Sequence, residues 1–331
     1  MAEDTRIVPA RIISLEFIRS YVITMRPYLL FVSGATGIAG LSLAPPIGRF
    51  NSLLLSLIFF LAYGFGQALT DCFQMDTDAL SSPYRPLVQG RIRRRDVAVV
   101  SLVGLAFSGV VFVAYNVVNL PLVVAAVVGL ATYTYFKRRW WAGPLYNAWI
   151  VAVLCLVGYV SGVGGARVPV TWSPALIAAL VTAFCAYANF VLTGYYKDIT
   201  ADRATGYNTL PVVFGLRVSS VVSDAFALAA VCACGVAVWC SLQGAQLGAQ
   251  HGLPILLATG GIAATVLGQV RLHSVTNEAD AHRAIVPVVH AYILLMSAIA
   301  AVQKPAWAAP LAGFYIGFVA VMRLRPMRQQ V

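Results

Sequence analysis

The feature that most constrains this chain is a series of apolar blocks, each about as long as a membrane is thick. A helix needs about 20 mostly apolar residues to cross the hydrocarbon core, within a range of about 17–25. Such blocks fall near 27–45, 51–72, 97–118, 120–136, 145–163, 174–196, 218–241, 253–270, 284–302 and 306–322. No water is available inside a bilayer, so each block must close its own backbone hydrogen bonds, and helices are expected. Composition agrees. The 331 residues are 60% hydrophobic and 11% charged, against about 25% charged for a soluble domain. One aqueous core could not bury that much apolar surface, and disorder is excluded by the same numbers. The reading is an all-α polytopic membrane protein of nine to ten transmembrane helices, with residues 1–331 forming one integral membrane domain.

The basic residues test the order of these spans. The N-terminal stretch carries Arg6, Arg11, Arg19 and Arg26, and the loop after the second span carries Arg85, Arg91, Arg93, Arg94 and Arg95. Lys137, Arg138 and Arg139 follow the fourth span, Lys197, Arg203 and Arg217 the sixth, and Arg271 and Arg283 the eighth. Arg323, Arg325 and Arg328 end the chain, and only Arg49, Arg167 and Lys304 fall in the alternate loops. Cytoplasmic loops collect Lys and Arg. An even span count is therefore expected, with both termini in the cytoplasm: an amphipathic tail at 1–26, a basic tail at 323–331, and a bacterial-type inner membrane. The formal charge of +11 is read as this topology, and no nucleic-acid partner is expected. Residues 1–26 are polar, so no cleaved secretory signal is expected. The six cysteines lie in or beside apolar segments without CxxC or zinc-ligand spacing, and are expected to act as small hydrophobes.

Acidic residues are scarce, which makes their placement informative. Of twelve carboxylates, five form two clusters at span ends: Asp71, Asp76 and Asp78 after the second span, and Asp198 and Asp202 after the sixth. If the helix continues through the first cluster, Asp71 and Asp78 point within about 20° of each other, Gln74 shares their face, and Asp76 points elsewhere. Asp198 and Asp202 are four residues apart, hence on one face. Like charges on one helix face repel, so a cation or basic partner is implied. Oxygen ligands at one membrane surface suit Mg²⁺, which commonly bridges a few carboxylates to substrate phosphates. Arg85, Lys137, Arg138, Lys197 and Arg203 lie beside these clusters, and such side chains bind phosphate. Asn147, Asn189 and Tyr195 are candidates for a substrate pocket. Asp224 stands inside the seventh span with no evident partner, where an ionisable group is costly.

These residues resemble the UbiA superfamily of intramembrane prenyltransferases over most of the chain. The family's first aspartate motif, followed by Pro-x-Arg-Pro and Gly, matches Thr70–Asp78, Pro83-Tyr84-Arg85-Pro86 and Gly90. Its second matches Asp198 to Gly206, followed by Thr209-Leu210-Pro211. A Tyr-x-x-x-Lys-Arg element matches Tyr133, Lys137 and Arg138, and Arg26-Pro27 is also family-like. The first motif departs from the pattern: Thr70 stands where Asn is usual and Gln74 where Asp is usual. The resemblance implies helices around a central apolar cavity and catalytic roles for Asp78, Asp198, Asp202 and Lys137. It also implies Mg²⁺, as two ions, held by Asp71, Gln74, Asp78, Asp198 and Asp202. The ligands implied are a prenyl diphosphate donor on Arg85, Lys137, Arg138, Lys197 and Arg203, and a small aromatic or lipid-like acceptor near Tyr133. Membrane lipid surrounds the whole. Ionisation of the donor gives an allylic cation that the acceptor attacks. The altered motif keeps two alternatives open: a UbiA-type cyclase that uses no acceptor, and a non-catalytic isoprenoid-binding or transport protein.

Overall fold

A computed structural model describes residues 8–243 and 248–325. Arg6, Arg328, Glu3 and Asp4 lie outside the described residues. All regular structure among the described residues is helical. After α1 (Leu15–Met25) and α2 (Leu30–Ser42) come α3 (Arg49–Asp71), the short α4 (Met75–Ser81), α5 (Arg94–Tyr115), α6 (Asn119–Arg139), α7 (Gly143–Gly165) and α8 (Pro174–Gly194). A second short helix, α9 (Ile199–Ala204), precedes α10 (Leu210–Leu242), α11 (Gly252–His273), α12 (His282–Gln303) and α13 (Ala308–Arg323). Among the described residues nine helices are long and apolar enough to cross a membrane, and α1 with α2 forms a tenth, bent unit. The protein is an integral, multi-pass membrane protein.

Each expected span is present, and the first differs in form. The block at 27–45 is a helix of only thirteen residues, joined to α1 at an angle of 50°. Residues 15–25, expected as part of a tail, are helical because Phe17, Tyr21 and Met25 recur at four-residue spacing and bury one face. That stripe packs with Ala68 of α3 and with Cys72 just after it, while Leu15, Ile18 and Val22 stay exposed. Arg26 forms the bend in a left-handed conformation, φ 54° and ψ 75°, unusual for a residue with a Cβ. The block expected at 218–241 begins earlier, at Leu210, but Gly215 interrupts it with φ 77°. Only glycine adopts that angle without strain, so the membrane-crossing part starts just after it.

Hydropathy alone does not decide burial here: α12 lies almost wholly inside, whereas the equally apolar α10 is mostly at the surface. α12 packs against α2, α8, α10 and α11. Helices in lipid gain no hydrophobic drive from one another and rely on small residues for close approach. α2 and α7 show this. A Cβ on Gly40 would sit 1.9 Å from the Cys155 carbonyl oxygen, and one on Gly158 would sit 2.3 Å from that of Gly37. Both obstacles are backbone and cannot rotate aside. Gly40→Leu should therefore force the two helices apart and destabilise the protein by about 3 kcal/mol or more. Thermal unfolding of the purified variant in detergent, compared with wild type, checks this.

Candidate active site

α3, α6 and α8 end on the same basic-residue side, where the two aspartate segments meet the end of α6. The cavity between these helices changes character along its length. Near the helix ends it is lined by Arg26, Asp71, Gln74, Asp78, Arg85, Lys137, Lys197 and Asp198. Deeper, its wall is apolar, with Leu105, Phe112, Leu130 and Val157 among the lining residues.

The helix expected to run through the first cluster does not. α3 ends at Asp71, and Gln74, at φ −118° and ψ 20°, separates it from α4. The extrapolated face shared by Asp71, Gln74 and Asp78 is thus broken, yet the two aspartates still converge, through a cation. Arg85, 11% exposed, pairs with Asp78 and lies 3.7 Å from Asp71. Arg26 closes the other side of Asp71, one Nη reaching both carboxylate oxygens at 2.9 and 3.1 Å. Gln67 donates to the same carboxylate at 2.7 Å. The strained backbone at Arg26 is therefore repaid by a buried charge pair, the kind of place where strain is stored. Asp76 points outward to Arg138 and Tyr207, and Thr77 Oγ1 lies 3.0 Å from Thr205 Oγ1, tying the two segments together.

The second cluster is ordered by two clamps. Glu278, in the loop after α11, accepts from the backbone N–H and hydroxyl of Thr200, both at 2.6 Å. Asp202 is fully buried, accepts from Lys137 Nζ at 3.2 Å and receives the Thr209 hydroxyl on its other oxygen, also at 3.2 Å. Lys137 is held between the rings of Tyr195 and Tyr207, 5.0 and 4.9 Å from their centroids. Tyr195 in turn bonds Tyr133, 2.7 Å between hydroxyls. This fixes the ammonium at the junction of both aspartate segments.

Electrostatics follow from this burial. Desolvation pushes the Asp78 carboxyl above its usual range, with Arg85 opposing and the neighbouring Asp71 and Asp198 adding to the rise. Asp202 is pushed up to about 6, again by burial, with Lys137 pulling the other way.

Most of the candidate residues gather here, and some do not. Tyr133, Asn147, Tyr195, Lys137, Lys197, Asp71, Gln74, Asp78, Arg85 and Asp198 line the cavity. Asn189 faces away: its carbonyl oxygen accepts from Ser223 and, at 3.2 Å, from Gln269, joining α8 to α10 and α11. It is a helix–helix bond rather than a pocket wall, because its side of α8 meets those helices. Arg203 is exposed outside the cavity, and Arg138 serves Asp76 and Tyr207 at the rim. Asp224 has a partner after all in His273, at 2.7 Å. Sequence reasoning missed Glu278 and Tyr207, which no local spacing marks, and the contacts of Arg26 and Thr209, which stand in the family-like Arg26-Pro27 and Thr209-Leu210-Pro211 elements.

Comparison with known proteins agrees with this geometry. Residues 30–296 match the family model of the UbiA prenyltransferase family. The chain belongs to that family. It is accordingly an intramembrane prenyltransferase. Among its relatives is a digeranylgeranylglyceryl phosphate synthase from Thermococcus sibiricus, 27% identical over 65% of this chain and 76% of the relative. Another of that name, from Halobacterium salinarum, is 33% identical over 52% of this chain and 60% of the relative. The fold matches a UbiA homolog from Aeropyrum pernix K1 with TM-score 0.63 at 19% identity, over 80% of this chain and 94% of that one. It also matches a UbiA homolog from Archaeoglobus fulgidus bound to GPP and Mg²⁺, with TM-score 0.60 at 18% identity, over 86% and 99%.

The raised Asp202 carboxyl gives this UbiA protein a signed pH dependence. Its value near 6 lies above the unfolded 3.8, so between these pH values the folded chain binds the proton better than the unfolded chain. The contribution of Asp202 to stability is full below the window and declines as pH rises through it, by up to about 3 kcal/mol. Unfolding followed across pH from about 4 to about 7 should show that slope, and Asp202→Asn should remove it.

Proposed function

We propose that this protein transfers a prenyl group from a polyprenyl diphosphate to a hydroxyl of a lipid-like, phosphate-bearing acceptor within the membrane. The carrying observation is one cavity with a cationic and carboxylate mouth and an apolar interior. An isoprenoid diphosphate has the same division of character. The acceptor class rests on the names of the relatives above, whose product is a glyceryl phosphate.

Mg²⁺ fits the Asp198 side of this site. Among the described residues no three acidic, cysteine or histidine groups gather as a metal cluster, but Mg²⁺ is commonly held by one or two carboxylates together with substrate phosphates. Asp78 and Asp198 line one cavity from separate segments, close enough that the charge on Asp198 disfavours ionisation of Asp78, which a nearby cation would relieve. When bound there, the ion supplies a Lewis acid that neutralises the leaving diphosphate.

The chain's own groups do the rest. Arg26, Arg85, Lys137 and Lys197 present fixed positive charge where the diphosphate leaves, which favours the state in which the C–O bond has broken. Asp202, with Tyr195 and Tyr207, holds the Lys137 ammonium in place. The apolar wall excludes water from the allylic cation, and rings of Tyr63, Tyr133, Tyr187 and Phe190 along the cavity suit a passing positive charge. The acceptor oxygen then forms the new C–O bond and releases its proton. The basic faces of the loops support a cytoplasmic mouth and cytoplasmic termini.

Two experiments test this reading. Asp198→Ala and Asp78→Ala should each lower Mg²⁺-dependent transfer by at least about a hundredfold, since each removes a carboxylate from the site that would hold the ion neutralising the leaving diphosphate; full activity in the purified double variant would refute the site. Incubation with geranyl, farnesyl and geranylgeranyl diphosphates and Mg²⁺, but no acceptor, should give slow hydrolysis only. Cyclic hydrocarbon or alcohol products would assign the cyclase reaction instead.

A further inference from the structure

Asp198 opens α9 but does not cap it. Its backbone carbonyl accepts the first bond of that helix, from the Asp202 N–H at 2.7 Å, which puts it at the N-cap position. Aspartate is preferred there because its carboxylate ordinarily accepts the N–H of the second or third helical residue. Asp198 makes no such side-chain bond, and its backbone, at φ −117° and ψ 11°, lacks the extended conformation typical of a capping residue. The carboxylate lines the cavity instead.

The N–H that it would cap is already taken. Thr200 is second in α9, and its N–H and its hydroxyl both donate to one oxygen of Glu278, each at 2.6 Å. Glu278 thus caps a helix that lies 78 residues away in the chain. It is braced for this task. Val275 and Ala281, on either side of it, are buried in the main core. The Asn277 side chain accepts from the Asp280 N–H at 3.1 Å and donates to the Asp280 carboxylate at 2.8 Å. Arg283 Nε lies 3.4 Å from that same carboxylate. The turn Glu278–Asp280 packs against the turn Tyr195–Lys197, which leads directly into Asp198.

We infer that Glu278 is a positioning residue: by taking the Thr200 N–H it keeps the Asp198 carboxylate off its own helix and available to a divalent ion in the cavity, a role that rests on the Mg²⁺ and prenyl diphosphate reading above. The two carboxylates compete for one donor. With Glu278 in place the helix end is satisfied from outside, and Asp198 has nothing to gain by turning back. Without it, Asp198 gains a capping bond in the turned-back state, and an ion must first draw it out. An ion that binds only one of two states has its apparent affinity lowered by the fraction of chains in the competent state.

The test reads ion binding directly. The purified full chain is titrated with Mn²⁺ in the presence of geranylgeranyl thiodiphosphate, a poorly reactive donor analogue, and bound Mn²⁺ is followed by electron paramagnetic resonance. Glu278→Ala should weaken Mn²⁺ binding about fivefold, the worth of an ordinary N-cap, yet reach the wild-type number of bound ions at saturation. Glu278→Gln keeps an acceptor oxygen for Thr200 and should bind Mn²⁺ within about twofold of wild type. In Glu278→Ala the Mg²⁺ concentration for half-maximal diphosphate release from geranylgeranyl diphosphate should rise by more than the maximal rate falls. Equal losses in the Ala and Gln variants would make Glu278 a source of negative charge and overturn its positioning role. Unchanged binding in Glu278→Ala overturns it too, as does a loss that saturating Mn²⁺ fails to restore, the mark of a loosened segment. These outcomes leave the transferase reading intact as long as Asp198→Ala weakens Mn²⁺ binding in the same assay. If Asp198→Ala leaves that binding unchanged, the ion does not sit on Asp198, and the metal reading falls together with the positioning role.

Discussion

A charge buried among membrane helices must find its counter-charge inside the protein, because neither lipid nor water is there to solvate it. The active end of this molecule is organised by that requirement. Arg85 sits between Asp71 and Asp78, Arg26 closes Asp71, and Lys137 answers Asp202. These pairs join α1, α3, the α4 segment, α6 and α9, elements far apart in the chain. Removing one partner would strand another, so the mouth of the cavity is held as a unit. A unit of this kind presents fixed charge to a substrate without first having to reorganise.

Deeper in the membrane the constraint changes from charge to shape. Helices there gain from close packing, and the glycines of α2 and α7 let two backbones touch. α12, buried on nearly every side, serves as the core against which α2, α8, α10 and α11 are placed. The cavity lies to one side of this core, walled by α3, α5, α6, α7 and α8. Close packing lies on one side of the molecule and the lined cavity on the other.

Much of this was legible in the chain. The ten blocks, most of their boundaries to within a few residues, and the two aspartate clusters follow from hydropathy and spacing. Asp71, Asp78, Lys137, Lys197 and Asp198 do converge on one cavity. Other points were not legible, for identifiable reasons. Asn189 and Phe190 are neighbours on α8, and only packing shows that the first faces α10 while the second lines the cavity. Glu278 clamps Thr200 across 78 residues, a distance at which no periodicity operates. Gln74, at the break, donates to Thr134 on another helix, a contact no local pattern announces.

Sequence by itself determined that this chain spans a membrane repeatedly and that its few carboxylates cluster at span ends, because bilayer thickness and charge cost act on local stretches of chain. Tertiary structure decided how those charges are spent. Whether an aspartate meets a guanidinium, as Asp78 does, or lines the cavity, as Asp198 does, depends on side chains from different elements arriving within a few ångströms. Pairing at that range is set by packing, which no local pattern encodes.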